Sequence, residues 1–250
     1  MKAIGIIPAR LGSSRFPNKP LKLISGKPMI EHVYKRSRLC KNLSNLYVAT
    51  CDIEIKNIVE SFGGEAIMTS NKHERCTDRI AEAVQDINCD IVVNIQGDEV
   101  LVHPDMISNS VLELQKKDKN YQTVNNVSKI YDINEFRDRN NVKVVFDKNN
   151  EALYFSREAI PNNINSKTSG FFGFKQVCII SFTKDYLFRF NSLEQTPLEK
   201  SESIDMLRCL ENNHIVKIVE TDYENWSVDT EEDIIKVEKL ITNDPLFGNY

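Results

Sequence analysis

The chain has 250 residues, is 41% hydrophobic and 27% charged, and carries a net charge of −4. That length suits one large α/β domain, or a main domain with a smaller appendage, and the acidic balance argues against broad electrostatic attraction to nucleic acid. No run approaches the ~20 apolar residues of a membrane span, and the opening residues read as a strand rather than a signal peptide, so a cytoplasmic protein that meets neither membrane nor nucleic acid is expected.

Residues 3–7 form an apolar strand that breaks at Pro8. A polar loop follows with Arg10, Ser13, Ser14, Arg15 and Lys19, closed by Pro17 and Pro20. Cations and hydroxyls on a short loop at the carboxyl end of a buried strand are suited to a polyphosphate, because ligands of open α/β sheets collect at those ends. Read alone, the loop is also compatible with a solvated basic surface. It matches neither the Walker loop nor the dinucleotide fingerprint, which argues against a P-loop ATPase and a nicotinamide dehydrogenase.

Pro28 suits the first turn of a helix over residues 28–40, with Met29, Ile30, Val33 and Tyr34 on one face. Residues 45–50 read as a second strand, and Asp52 is expected to cap a helix over 54–62 that ends at Gly63 and Gly64. Residues 65–69 form a third strand, and the segment from His73 to Arg79 runs into an amphipathic helix. Residues 90–95 are nearly all apolar, the pattern of a strand covered on both faces, and they deliver Gln96, Gly97, Asp98 and Glu99 at the carboxyl end. This alternation predicts a doubly wound, mostly parallel sheet.

Beyond about residue 120 the rhythm loosens. Residues 122–130, 142–146 and 176–182 read as strands with some antiparallel pairing, and 198–212 as a helix. A late strand covers 215–219, and Thr230 is expected to cap the last helix, with Glu231, Glu232 and Asp233 in its first turn. The expected organisation is a nucleotide-binding core of residues 1–120 and 215–250, with residues 121–214 as an acceptor-binding and dimerisation portion. The six cysteines form no C-x-x-C pair and read as reduced thiols, with Cys76 notable for its place beside the candidate site.

Two acidic positions suggest metal chemistry. Asp98 follows a buried strand and a glycine that permits close approach, and Asp229 precedes a helix N-terminus, where a capping role is the competing reading. Mg²⁺ takes one or two carboxylates and fills its remaining positions with phosphate and water. With Arg10, Arg15 and Lys19 on a triphosphate, these parts describe nucleotidyl transfer, in which positioning and charge neutralisation carry the reaction.

Several blocks, in order along nearly the whole chain, resemble the 3-deoxy-manno-octulosonate (Kdo) cytidylyltransferases. They include Ile7-Pro8-Ala9-Arg10 with Ser14-Arg15-Phe16-Pro17, then Gly26-Lys27-Pro28-Met29-Ile30 and Val93-Asn94-Ile95-Gln96-Gly97-Asp98-Glu99. Later come Val142-Lys143-Val144-Val145, Ala152-Leu153-Tyr154-Phe155-Ser156-Arg157, and Val228-Asp229-Thr230. The resemblance implies a Rossmann-like nucleotidyltransferase that joins CMP from CTP to a sugar acid, releasing pyrophosphate, for surface polysaccharide synthesis. It places Ala9, Arg10, Ser13, Ser14, Arg15, Lys19, Thr77, Arg79 and Gln96 against the nucleotide. Of these, Arg10, Arg15 and Lys19 act with Asp98 on the triphosphate. It also places Mg²⁺ on Asp98 and Asp229, and the acceptor against Arg157, Gln176 and Asp205, in a homodimer.

The acceptor side departs from that pattern. Where the family has His-x-Gly-x-Tyr-x-Tyr, this chain has Gln176-Val177-Cys178-Ile179-Ile180-Ser181-Phe182. The family's Glu-Gln before Leu-Arg is Asp205-Met206, and its Ser-Gly before Thr-Asp-Arg is Arg75-Cys76. These changes raise the expectation of an altered acceptor, because polar contacts to hydroxyls carry large specificity. A sugar- or polyol-phosphate cytidylyltransferase and a non-catalytic nucleotide-binding relative are the alternatives.

Overall fold

The computed structural model describes residues 1–12, 16–117, 119–162 and 170–250. Ser13, Ser14 and Arg15 of the basic loop lie outside the described residues.

The first half alternates as its sequence predicts. Strand β1 (Ala3–Ala9) leads through a small hairpin of β2 (Leu23–Ile24) and β3 (Lys27–Pro28) into α1 (Met29–Arg38). Then come β4 (Asn45–Thr50), α2 (Ile53–Ser61), β5 (Ala66–Met68), α3 (Cys76–Val84), β6 (Ile91–Ile95) and α4 (Pro104–Gln115). The second half holds β7 (Thr123–Ile130), α5 (Ile133–Arg137), β8 (Lys143–Phe146), β9 (Ala152–Ser156) and the long β10 (Gly173–Thr183). It ends with α6 (Lys184–Ser192), α7 (Pro197–Glu202), α8 (Met206–Glu211), β11 (Val216–Thr221) and α9 (Glu231–Ile241).

Among the described residues the main sheet has nine strands, with the path β11-β7-β10-β6-β1-β4-β5 and the β8–β9 hairpin joined to β10. Neighbours along the path are parallel except at β10, which runs antiparallel to both β6 and β7. The sheet therefore runs without a break through both halves of the sequence. Every residue of β6 is buried: Ile91, Val93 and Ile95 pack on the face covered by α1, α4 and α9, and Val92 on the face covered by α3, α6 and α8. Alternation across two covered faces explains why this strand reads as a continuous apolar run.

Three local readings change. Helix α4 was not foreseen, although Pro104 stands in its first turn and His103 caps it by accepting the N–H of Asp105. The helix expected over 198–212 is two helices, because Ser203 takes a left-handed conformation at φ 55° that ends α7. Asp52 precedes α2 but makes no side-chain cap. Its carboxylate instead accepts the N–H of Leu11, 2.7 Å away, fastening the first loop to the end of β4. Thr230 does cap α9, in a reciprocal capping box with Asp233.

Candidate active site

The parallel strands β1, β4, β5 and β6 bring their carboxyl ends to one edge of the sheet, where two cavities open. The first, of about 360 Å³, is lined by Ala9, Arg10, Lys19, Arg79, Gln96 and Asp98 together with the loop from His73 to Cys76. The second, of about 320 Å³, is lined by the loop from Asp138 to Val142, by Gln176 and Cys178, and by Asp229 and its neighbours. Gln96 and Asp98 border both. The second cavity exists beside the first because β10 runs backwards: its early residues, not its last, lie against the end of β6, where the Gln96 N–H donates to Cys178 O at 3.1 Å.

Gly97 makes the junction possible. A Cβ there would stand 3.1 Å from Pro8 O, tighter than an ordinary contact, so a larger residue would push the loop after β6 away from the end of β1. The segment carrying Asp229 is tied in by the Val228 N–H, which donates to Asp98 O at 3.2 Å.

Lys19 stands between the two acidic residues. Its Nζ lies 2.7 Å from Asp98 Oδ2 and 3.0 Å from Asp229 Oδ1. Burial pulls the Lys19 pKa down, but the two carboxylates outweigh it and hold the ammonium above its ordinary value. Two carboxylates converging on one cation are a donor set that suits Mg²⁺, whose other ligands come from phosphate and water. Among the described residues no group of three or more His, Cys, Asp or Glu side chains is placed to hold a metal on protein ligands alone.

Behind Asp98, the buried Glu99 accepts from the Cys178 N–H at 3.1 Å and the Ser227 hydroxyl at 3.0 Å. Burial and the neighbouring Asp98 push its pKa up to about 7. Glu99 therefore joins the end of β6, the bulged part of β10 and the Asp229 segment. Cys76 lies 3.1 Å from Gln96 Nε2. Burial pushes its thiol up to about 12, with Asp205 adding to the effect, so it is a neutral lining group rather than a nucleophile.

Of the other expected site residues, Ala9, Arg10, Arg79 and Gln96 line the first cavity and Gln176 the second. Arg79 also donates from Nη1 to Thr69 Oγ1 at 2.5 Å. Three residues lie outside the linings of both cavities. Thr77 is 1% exposed in the first turn of α3, outside the cavity lining. Asp205 sits behind Arg75, accepting from its Nη1 at 2.6 Å. Arg157 lines neither cavity. Its guanidinium donates to the carbonyls of Glu202, Arg139 and Ser203 at 2.7, 2.9 and 3.3 Å. Ile180 and Met206 are likewise buried in the apolar core on the α3, α6 and α8 side. Of Gln176, Cys178, Ile180 and Met206, Gln176 and Cys178 line the second cavity.

Residues 4–232 match the family model described as cytidylyltransferase. This chain belongs to that family. It is 44% identical over 238 residues to a 3-deoxy-manno-octulosonate cytidylyltransferase of Fusobacterium nucleatum, covering 95% of this chain and 96% of that protein. It is 42% identical over 242 residues to an 8-amino-3,8-dideoxy-manno-octulosonate cytidylyltransferase of Shewanella pealeana, covering 96% and 98%. The structure of a CMP:2-keto-3-deoxy-manno-octonic acid synthetase complexed with CTP superposes with a TM-score of 0.88 at 35% identity, covering 97% of this chain and 99% of that one. The α/β nucleotidyltransferase fold read from the sequence is the fold observed.

Asp52, Glu99 and Lys143 escaped the sequence reading as site-building residues. Asp52 and Glu99 left one available signal, since each is an acidic residue just beyond the carboxyl end of a buried strand.

Proposed function

We propose that this cytidylyltransferase transfers CMP from CTP to a 3-deoxy-ulosonic acid, Kdo or its 8-amino-8-deoxy form, and releases pyrophosphate. The observation that carries the reading is that two cavities share Gln96 and Asp98, with Lys19 held between Asp98 and Asp229. A nucleotide in the first cavity and an acceptor in the second would meet at that border. The relatives that act on Kdo and on amino-Kdo support this acceptor class.

Arg10 and Lys19 would neutralise the triphosphate, and Arg15 of the same loop would join them. Leu11, at the start of that loop, is held by the bond from its N–H to Asp52. Asp98 and Asp229 would hold Mg²⁺, which supplies charge neutralisation at the phosphate oxygens. The acceptor hydroxyl would approach the α-phosphorus from the second cavity, oriented by the amides of Gln96, Asn140, Asn141 and Gln176. No protein nucleophile is needed, in keeping with a neutral Cys76.

The reading includes a cytoplasmic homodimer. No helix among the described residues is long and apolar enough to cross a membrane. Among the described residues β9 pairs only with β8, and Leu153 on β9 and Tyr131 after β7 are 63% and 62% exposed, which suits a surface covered by a second copy.

The test is Mg²⁺-dependent pyrophosphate release from CTP with Kdo, 8-amino-3,8-dideoxy-Kdo, other ulosonic acids and sugar phosphates as acceptors. Release with one of the first two is expected. Release only with a sugar phosphate would overturn the acceptor assignment.

A further inference from the structure

The floor of the second cavity is a loop, Asp138 to Asn141, whose main-chain carbonyls turn inward onto two cations. Lys143 is 0% exposed. Its Nζ donates to Asp138 O at 2.7 Å, Asn141 O at 2.5 Å and Arg157 O at 2.7 Å, so each of the ammonium's three donors has a carbonyl acceptor. Arg157 Nη1 donates to Arg139 O at 2.9 Å. The carbonyls of Asp138, Arg139 and Asn141 are therefore held by two charged side chains from neighbouring strands.

The arrangement follows from the hairpin. Lys143 opens β8 and pairs with Ser156 near the end of β9, which puts Arg157 beside it across the ladder. The loop that precedes Lys143 is drawn back over its own side chain, and Asp138, Asn140, Asn141 and Val142 then line the cavity. A buried ammonium is costly to keep in an apolar sheet, and the three carbonyls that accept from it, together with the charges of Asp138, Glu158 and Glu202, offset that cost. Replacing it would leave inward-facing carbonyls unpaired and release the loop.

We propose that Lys143 is a positioning residue for the acceptor: it fixes the loop from Asp138 to Asn141 in the shape that the acceptor cavity requires, with Arg157 as its partner in the clamp. This rests on the reading that the second cavity takes the acceptor. It also gives Arg157 a role away from the cavity lining, through the loop it holds.

The experiment compares wild type, Lys143→Met and Lys143→Arg in pyrophosphate release, varying CTP and acceptor separately. Misplacing a contact loop by a fraction of an ångström to an ångström costs about ten- to a hundredfold. Lys143→Met should raise the acceptor KM by about tenfold or more and leave the CTP KM within about twofold. Lys143→Arg should show the same selective rise but smaller, because a planar fork cannot direct its donors to the same three convergent carbonyls. If Lys143→Met does not fold, the selective rise in Lys143→Arg decides. An unchanged acceptor KM, or equal rises for both substrates, would overturn the proposal. Asn140→Ala separates the two ideas: a rise in its CTP KM rather than its acceptor KM would remove the acceptor from the second cavity, independently of what Lys143 does.

Discussion

Arg75 and Asp205 lie 130 residues apart in sequence and form one ion pair, with Nη1 of Arg75 2.6 Å from Oδ1 of Asp205. Both positions depart from the pattern the chain otherwise resembles, and the structure shows that the two departures touch. Arg75 lines the first cavity, while Asp205 leads into α8. The pair thus connects the cavity wall to the helix behind it. Its partial burial makes coupling measurable: Arg75→Ala should cost about 1–3 kcal/mol of stability, and a double-mutant cycle with Asp205→Asn should recover part of that loss.

The same pair sets a pH dependence. Burial pushes the Asp205 pKa above 3.8, with Arg75 pulling the other way. A carboxyl that is harder to ionise in the folded state contributes stability below its unfolded pKa, and that contribution is lost as pH rises through its folded pKa. Asp205→Asn, which cannot ionise, should therefore abolish that loss above pH 3.8, and Arg75→Ala should enlarge it. Urea denaturation at a series of pH values checks both.

The Asp98 and Asp229 carboxylates are far apart in sequence and meet on Lys19. Asp98→Asn or Asp229→Asn should lower Mg²⁺-dependent turnover at least about a hundredfold, with circular dichroism unchanged. Wild-type turnover in either variant would remove that residue from the proposed Mg²⁺ site.

Among the described residues, Asp52 acts on the first loop through its bond to the Leu11 N–H. Asp52→Ala should free the loop and raise the CTP KM by about five- to thirtyfold, the equivalent of roughly 1–2 kcal/mol, while the acceptor KM stays put. Asp52→Asn keeps an acceptor oxygen and should lose less. Equal effects on both substrates would show that the bond only supports the fold.

With its pKa pushed up to about 12, the Cys76 thiol is almost wholly protonated at neutral pH. Cys76→Ser should keep kcat within about threefold, because transfer uses no thiolate. A collapse in kcat beyond a hundredfold, without loss of fold, would call for covalent catalysis.

What the sequence makes legible is local. Asp98 stands just beyond the end of a buried strand whose apolar run is plain, Lys19 lies on the loop that follows another, and Asp229 precedes a well-signalled helix start at Thr230. Arg157 was expected to face the acceptor, but its donors go to three carbonyls that only the folded chain assembles. Lys143 reads as an ordinary strand residue until the loop before it folds back. Asp205 and Met206 sit one residue apart and end in different surroundings, one on Arg75 and one in the core, because the turn after Ser203 sets their directions. None of these contacts has a sequence period or a fixed spacing, which is why pattern alone does not find them.

The central claim is that CMP is transferred directly from CTP onto a sugar acid at the border of the two cavities. Mass analysis of the product made from CTP, Mg²⁺ and Kdo or 8-amino-3,8-dideoxy-Kdo tests it most directly. A single phosphate between cytidine and sugar, formed with one pyrophosphate per turnover, is the predicted result. A diphosphate-linked product, formed only from a phosphorylated acceptor, would contradict it.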